Sequence, residues 1–184
     1  MREIRFHGRG GQGVVTASQL LAETALFENK YIQAFPEFGP ERMGAPIRAF
    51  SRISEERIDL HSQVYKPDVV VVIDPTLLSE KIAEGLSRDG ILVANTPLSP
   101  KKVRELTNFK GKIFTVDATK IAREEIGKPI ANTACLGALV RATNIVELEN
   151  LISKLKEKLG GKFSSKIVEG NARAIERAFE EVRA

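Results

Sequence analysis

Segments with the apolar pattern of β-strands alternate along the chain with segments of helical periodicity. Strands are predicted at residues 2–6, 31–34, 47–53, 69–73, 91–94 and 113–116. Every residue from Val69 to Ile73 is β-branched, which is typical of a central strand buried on both faces. The alternation predicts an α/β protein with three layers, in which an open, mostly parallel Rossmann-like sheet carries helices on both faces.

The helices are predicted from apolar spacing and from capping residues. Residues 14–28 and 148–159 have apolar positions on one helical face, and a final amphipathic helix follows residue 164. Asp74-Pro75 and Ser99-Pro100 predict helix starts, because Asp or Ser caps free amides and Pro fits the first helical position. The chain has 184 residues, which predicts a single domain spanning residues 1–184.

The composition excludes several classes of protein. No apolar run approaches the roughly 20 residues of a membrane-spanning helix, and the N-terminus lacks a signal peptide, so a cytoplasmic location is expected. The net charge of +4 is mild, and the densest basic stretch, residues 154–166, is interpreted as a solvated helix face rather than a nucleic-acid site. Abundant Lys and Glu without Trp are typical of a thermophile.

A single cysteine limits the redox chemistry that the chain can perform alone. Cys135, His7 and His61 are its only soft metal ligands, whereas an iron–sulfur cluster or a structural zinc site takes four such ligands. No metal site is therefore expected on this chain, and no nucleophile–base pair identifies a catalytic residue. If the chain takes part in redox chemistry, another chain must carry the metal.

The segment His7-Gly8-Arg9-Gly10-Gly11-Gln12-Gly13 is the sharpest local signal. Gly8, Gly10 and Gly13 have the G-x-G-x-x-G spacing of a turn between a strand and a helix. Such glycines allow a tight turn, close approach of an anionic group, and close packing of helix on strand. The helix start offers unpaired N–H groups, and Arg9 adds a charged donor.

Three interpretations of this glycine turn stay open on physical grounds. It binds a phosphate-bearing ligand, it binds a standard dinucleotide, or it is a tight turn that binds nothing. A dinucleotide site needs an acidic residue about 20 positions on, but the second strand ends at Gln33-Ala34-Phe35-Pro36. Gly11-Gln12 is also unusual for such a turn.

The segment from Phe35 to Pro46 is predicted to be a loop rich in Pro and Gly. It follows the second strand and should lie at the same sheet edge as the glycine turn. Aromatic residues, Met and Arg are enriched at interface cores, so the loop either contacts a partner or folds its Phe residues back onto the domain. The candidate interface residues are Phe35, Pro36, Glu37, Phe38, Glu41, Arg42 and Met43.

Polar residues also follow the other predicted strands, where ligands bind in open α/β sheets. Asp74, Asn95, Thr96 and Asp117 occupy such positions, and each can also be explained as a helix cap or turn former. The helix cap is favoured for Asp74. Cys135 has apolar neighbours and is interpreted as a buried small residue. A structural role is favoured for His7.

Taken together, these motifs resemble the gamma subunit of pyruvate:ferredoxin oxidoreductase and its 2-oxoacid relatives. The resemblance covers the chain from residue 2 to the final helix and depends on the combination of motifs. These are residues 6–13, Gln33-Ala34-Phe35-Pro36, Gly39-Pro40-Glu41-Arg42, Gly44-Ala45-Pro46, residues 67–75, and Asn95-Thr96.

The resemblance implies oxidative decarboxylation of a 2-oxoacid to its acyl-CoA, with electrons passed to ferredoxin. It implies thiamine diphosphate and Mg²⁺ on alpha and beta subunits and [4Fe–4S] clusters on other chains, including a ferredoxin-like delta subunit. This chain would help close the shared cavity. Possible contacts with CoA or that cavity are assigned to Gly8, Arg9, Gly10, Gly11, Gln12, Gly13, Asn95 and Thr96.

The resemblance does not determine which 2-oxoacid the complex oxidises. The pyruvate type is favoured by residues 34–36 and 42–46, with branched-chain 2-oxoacid and 2-oxoglutarate enzymes as alternatives. It also stays open whether one gamma chain is shared between two such enzymes. Alternatives from other classes are a free-standing dinucleotide-binding module and an assembly scaffold without a ligand.

Overall fold

A computed structural model describes residues 1–37 and 43–184. Six strands of this part form one sheet in the order β2-β3-β1-β4-β5-β6. In chain order they are β1 (Arg2–Arg9), β2 (Tyr31–Pro36), β3 (Pro46–Ser54), β4 (Val69–Val72), β5 (Ile91–Asn95) and β6 (Lys112–Val116).

Strands β1, β4, β5 and β6 run parallel, whereas β3 is antiparallel to both of its neighbours. Strand β2 consequently points the same way as β1. The predicted mostly parallel sheet is confirmed, with one reversed strand that the hydrophobic pattern did not indicate. The reversal follows from the short connection after β2, since a parallel pair needs a crossover of a dozen or more residues.

The helices of the described residues lie unequally on the two faces of the sheet. They are α1 (Val14–Phe27), α2 (Pro100–Thr107), α3 (Ala118–Ile126), α4 (Asn132–Thr143), α5 (Leu148–Leu159) and α6 (Ser165–Glu181). All of them except α2 share the larger core, in which Ile4, Phe6 and Val71 meet Leu21 and Leu136. Helix α2 covers the opposite face, where Val70 and Leu92 meet Val103. The three-layer prediction is confirmed.

Two local predictions differ from the structure. Asp74 caps as expected, accepting a hydrogen bond from the Thr76 amide, but two short 3-10 helices, Pro75–Leu77 and Glu80–Ala83, follow it instead of an α-helix. The predicted loop of residues 35–46 is also too long. Phe35 and Pro36 belong to β2 and Pro46 to β3, because these strands continue to pair beyond the expected ends.

No helix within residues 1–37 and 43–184 combines the length and the apolar character that crossing a membrane requires.

Candidate functional site

The glycine turn lies at the carboxyl edge of the sheet, between β1 and α1. Gly8 and Arg9 end β1, and residues 10–13 lead into α1 at Val14. Gly13 is the residue before the first turn of α1, has a φ of 74°, and gives the helix no side-chain cap. The first amide groups of α1 therefore lack an intrahelical partner and carry the positive end of the helix dipole.

Gly8, Gly11 and Gly13 of the turn differ in why the position suits glycine. A Cβ on Gly8 would lie 2.5 Å from Cγ2 of Val14, so Gly8 is the residue that lets α1 pack closely on β1. A Cβ on Gly13 would lie 2.3 Å from Nδ2 of Asn132, at the start of α4. Gly11 has a φ of 92° and open space on its Cβ side. The close packing of α1 on β1 that was expected at Gly13 is therefore made possible by Gly8. Gly13 instead allows the start of α4 to approach the turn closely.

The Gln12 side chain connects the turn to the end of β4. Its Oε1 accepts a hydrogen bond from the Arg9 amide at 2.7 Å, and its Nε2 donates to Oδ2 of Asp74 at 2.6 Å. Gln12, the polar residue that is unusual for a dinucleotide turn, therefore has a structural role: it joins the turn to the end of β4. A nonpolar residue at this position would leave the Asp74 oxygen without that donor.

Asp74 accepts hydrogen bonds from the glycine turn and from the segment that follows β4. Its Oδ1 accepts from the Thr76 amide at 2.8 Å and from the Thr76 hydroxyl at 2.6 Å. Burial raises the pKa of the Asp74 carboxyl, but hydrogen bonds from Thr76 and Gln12 and the charge of Arg9 outweigh burial and lower the pKa overall. Asp74 is consequently ionised at neutral pH and holds the turn by charge-assisted hydrogen bonds.

The Arg9 guanidinium lies at the same carboxyl edge of the sheet, beside Asp74. Its Nη2 donates to the Thr76 hydroxyl at 2.9 Å and its Nη1 to the Gly44 carbonyl at 3.2 Å, while Nε is 3.3 Å from Oδ2 of Asp74. The side chain keeps 35% of its surface exposed. The Asp74 carboxylate offsets part of the positive charge of Arg9 that was expected to attract an anion. The exposed part of the Arg9 side chain remains accessible to a ligand. Thr76 was not singled out in the sequence, although its place two residues after a capping Asp is a usable signal.

The segment before β3 lies directly beside the glycine turn. The Gly10 amide donates to the Ala45 carbonyl at 2.9 Å, and the Gly44 amide donates to the Gly10 carbonyl at 3.2 Å. The expectation that both segments share one edge is confirmed. Met43 is 93% exposed.

The remaining candidate interface residues fall into three groups. The Phe35 ring packs 5.4 Å from the Phe50 ring, centroid to centroid, so it folds back onto the domain. Pro36 ends β2, and the Glu37 carboxylate pairs with Arg48 of β3. The candidates Phe38, Glu41 and Arg42 lie outside the described residues.

Asn95 and Thr96 lie at the same edge, but their polar groups are engaged within the chain. The Asn95 amide donates to the Ile73 carbonyl and the Thr119 hydroxyl, and its Oδ1 accepts from the Thr119 amide. Thr96 Oγ1 accepts from the Leu98 amide at 3.2 Å. Both residues are 2% exposed, and they fix the ends of neighbouring strands. Their predicted contact with a ligand stays a prediction.

Cys135 is fully buried in α4, and burial raises the pKa of its thiol to about 12. A neutral, inaccessible thiol suits neither nucleophilic attack nor metal binding. Within the described residues no three His, Cys, Asp or Glu side chains cluster as metal ligands do. These properties do not fit an iron–sulfur cluster on this part of the chain.

The sequence profile of the family described as pyruvate ferredoxin/flavodoxin oxidoreductase matches residues 3–181. The chain belongs to this family.

Members of the pyruvate ferredoxin/flavodoxin oxidoreductase family resemble the chain over nearly their whole length. The pyruvate synthase subunit PorC of Thermotoga maritima is 56% identical over 181 residues, which cover 98% of this chain and 94% of the relative. The crystal structure of pyruvate oxidoreductase subunit PORC from Thermotoga maritima matches with a TM-score of 0.90 and 53% identity, covering 99% of this chain and 97% of that chain. The pyruvate/ketoisovalerate oxidoreductases common subunit gamma of Pyrococcus abyssi is 50% identical over 185 residues, covering 100% of this chain and 98% of the relative.

The resemblance to gamma-type subunits is thereby confirmed. As a gamma-type member of the pyruvate ferredoxin/flavodoxin oxidoreductase family, the chain is a subunit of an oxidoreductase. The free-standing dinucleotide-binding module is not supported. The similarity over 98% of the chain, which includes the glycine turn, instead ties it to oxidoreductase subunits.

Proposed function

We propose that the chain is the gamma subunit of a complex that decarboxylates pyruvate oxidatively with CoA and passes electrons to ferredoxin. The observation that carries this proposal is the end-to-end match with the Thermotoga maritima pyruvate synthase subunit at 56% identity. The partners are alpha, beta and ferredoxin-like delta subunits, and the complex functions in the cytoplasm.

In this proposal the other subunits hold thiamine diphosphate, Mg²⁺ and the [4Fe–4S] clusters. The inert thiol of Cys135 supports that division, since a cluster takes several thiolates. Thiamine diphosphate supplies the carbanion chemistry when bound to those partners. This chain then contributes binding and orientation at the shared cavity.

The glycine turn is proposed to contact the pyrophosphate of CoA. Three features support this assignment. The first amides of α1 are uncapped, the space beside Gly11 is open, and Arg9 presents an exposed part of its guanidinium at the same edge. Backbone amides at a helix N-terminus bind phosphate groups well. The Gln12–Asp74 hydrogen bond holds this conformation before the ligand arrives, which lowers the cost of binding.

A matched pair of substitutions at Gly11 tests the contact with CoA. Asn and Asp have nearly the same shape and both tolerate a positive φ, but only Asp adds a negative charge where the pyrophosphate would lie. The whole complex is reconstituted with Gly11→Asn or Gly11→Asp chains. We expect Gly11→Asp to raise the KM for CoA by about tenfold over Gly11→Asn, with the KM for pyruvate unchanged.

The alternative outcomes separate the candidate roles. Equal KM values for CoA in the two variants, in complexes that assemble normally, would reject the CoA contact and support an assembly scaffold. An Arg57→Gln chain provides a charge control, because Arg57 pairs with Asp59 on an exposed surface. Complex assembly is followed by size-exclusion chromatography and by the visible absorbance of the clusters.

A gamma chain shared by two enzymes is the second candidate function. The observation that favours it is the Pyrococcus abyssi relative, whose name describes a subunit common to pyruvate and ketoisovalerate oxidoreductases. Anaerobic purification of the tagged chain from its host tests this candidate. Two sets of alpha and beta chains and activity with both 2-oxoacids would support sharing, whereas one set active with pyruvate alone would exclude it. A colourless chain without partners would reject the subunit assignment itself.

A further inference from the structure

A second polar region lies on the sheet face opposite α1, before the glycine turn in β1. Arg5 and His7 of β1 pair with Phe50 and Arg48 of β3, so all four side chains share this face. The short 3-10 helix Glu80–Ala83 and residues 63–66 border the same region. Together they enclose a cavity of about 470 Å³.

Arg5 is a buried cation at the base of this cavity. It is 5% exposed. Its guanidinium donates from Nε to Nε2 of His7 at 2.8 Å, and from Nη2 to the carbonyls of Ile82 and Glu84 at 3.2 and 2.6 Å. These acceptors are all neutral, so the hydrogen bonds satisfy donors without cancelling the charge. The carboxylates of Glu84 and Glu37 act on Arg5 electrostatically and offset part of its charge. Burying the remaining charge is costly, and an anion in the cavity would compensate it.

The orientation of His7 provides another donor. Because Nε2 accepts from Arg5, the neutral ring carries its proton on Nδ1. Burial, followed by the charges of Arg5 and Arg48, lowers the pKa of His7 to about 3. His7 is therefore held as a neutral donor, chiefly by burial, and the positive charges of Arg5 and Arg48 beside it would favour a bound anion.

The charges around the cavity are predominantly positive. Four cations, Arg5, Arg48, Lys66 and Lys81, face two carboxylates, Glu37 and Glu84. Glu37 is already paired with Arg48. The wall also has an apolar part, in which Phe50 and Val64 are almost fully buried and Tyr65 is 71% exposed. Cavities of this size with a few convergent polar groups on an apolar wall are typical of small-molecule sites.

We propose that this cavity binds a small organic oxyanion, a phosphate or carboxylate group attached to a compact apolar body. The oxyanion accepts hydrogen bonds from Arg5, His7 and Arg48, and the apolar body packs against Phe50 and Tyr65. The proposal is independent of the CoA contact at the glycine turn, because the two sites use different side chains. Arg9, which follows His7 two residues later, bonds to Thr76 and Gly44 instead.

The test uses the full chain and histidine NMR, since His7 and His61 are the only imidazoles. Phenyl phosphate, benzoate and inorganic phosphate are titrated at about 150 mM salt, which screens exposed charges. Phenyl phosphate or benzoate is expected to shift the His7 resonances saturably at neutral pH, where both probes are ionised. His61 serves as the internal reference. Comparison of the two aromatic probes decides between phosphate and carboxylate.

Inorganic phosphate tests the apolar wall. It is expected to bind at least about fivefold more weakly than phenyl phosphate, because it cannot bury apolar area against Phe50 and Tyr65. Equal affinities would contradict the role assigned to that wall.

Arg48→Gln and Arg123→Gln form a matched pair of charge variants. Arg48 lines the cavity, whereas Arg123 lies in the last turn of α3 on the other face of the sheet. Arg48→Gln is expected to weaken phenyl phosphate binding about tenfold and Arg123→Gln less than about twofold. A linear response of His7, or equal losses in both variants, would overturn the proposal and indicate general attraction to a basic surface. Both positions are away from the core, and the amide spectrum verifies folding.

Discussion

Gln12 and Asp74, 62 residues apart in the chain, are joined by a hydrogen bond of 2.6 Å. The bond ties the turn between β1 and α1 to the end of the adjacent parallel strand β4. Asp74 at the same time caps the 3-10 helix that follows β4, so one carboxylate orders two segments of the carboxyl edge. The shape of the glycine turn therefore depends on a residue outside it.

Replacing Asp74 by Asn is expected to destabilise the chain by about 1–3 kcal/mol. Asn cannot accept from Thr76 and Gln12 as a charged carboxylate does, and it loses the attraction to Arg9. Urea unfolding at neutral pH measures the change. Asp59→Asn is the control, because the Asp59–Arg57 pair is exposed and should contribute little. Equal losses in the two variants would contradict a special role for Asp74.

The same variant has a characteristic pH dependence. The pKa of Asp74 in the folded chain is below its ordinary value of 3.8. Its stabilisation is therefore complete above that ordinary value and is lost as the pH falls through the lower folded-state pKa. The difference in unfolding free energy between wild type and Asp74→Asn should narrow between about pH 5 and about pH 2. A difference that stays constant over this range would argue against an ionised Asp74.

Gly13→Ala is expected to cost about 3 kcal/mol, combining a strained positive φ with displacement of Asn132. Gly127→Ala isolates the backbone part, because Gly127 has a φ of 80° and no atom near its Cβ position. That control should cost about 1–2 kcal/mol. Combining Gly13→Ala with Asn132→Ala should be less damaging than the sum of the single changes. Simple additivity would show that the two residues do not collide.

Arg52→Lys is expected to cost about 2–3 kcal/mol, although it preserves the charge. Arg52 is 1% exposed, and its guanidinium bonds to Glu3, to Gln33 and to the carbonyl of Ser62. A lysine ammonium cannot reach all three partners. Thermal unfolding measures the loss, and faster hydrogen exchange near Ser62 would locate it. Arg57→Lys, at an exposed ion pair, should change stability by less than about 0.5 kcal/mol.

Cys135 is expected to resist alkylation by iodoacetamide in the folded chain and to react fully in urea. Burial raises its thiol pKa to about 12, so almost no thiolate is present at neutral pH and the sulfur is inaccessible. The alkylation rate should depend on unfolding, and under native conditions it should be lower than in urea by a factor of about a thousand or more. Mass spectrometry measures the labelled fraction. Rapid labelling of the native chain would show that α4 opens readily.

Local features of the fold were predictable because their causes lie within a few residues. The β-branched run of Val69–Val72 indicated a buried central strand, and Ser99 and Asp117 cap α2 and α3 as such residues do at helix starts. The glycine spacing located the turn between β1 and α1. The order of β1 and β2 also placed the segment before β3 at the edge of the glycine turn, which the Gly10–Ala45 hydrogen bond confirms.

The sequence by itself thus determined the six strands, helices α1, α2, α5 and α6, the glycine turn and the family, which depend on short-range pattern and on motif combination. Helices α3 and α4 were not predicted. The tertiary structure decided the reversed direction of β3, the Gln12–Asp74 bond and the cavity around Arg5. The physical reason is that alternating apolar residues specify which face of a strand is buried but not which strand lies beside it. Contacts between residues as distant as Arg5 and Glu84 arise only when the order and register of the sheet bring them together.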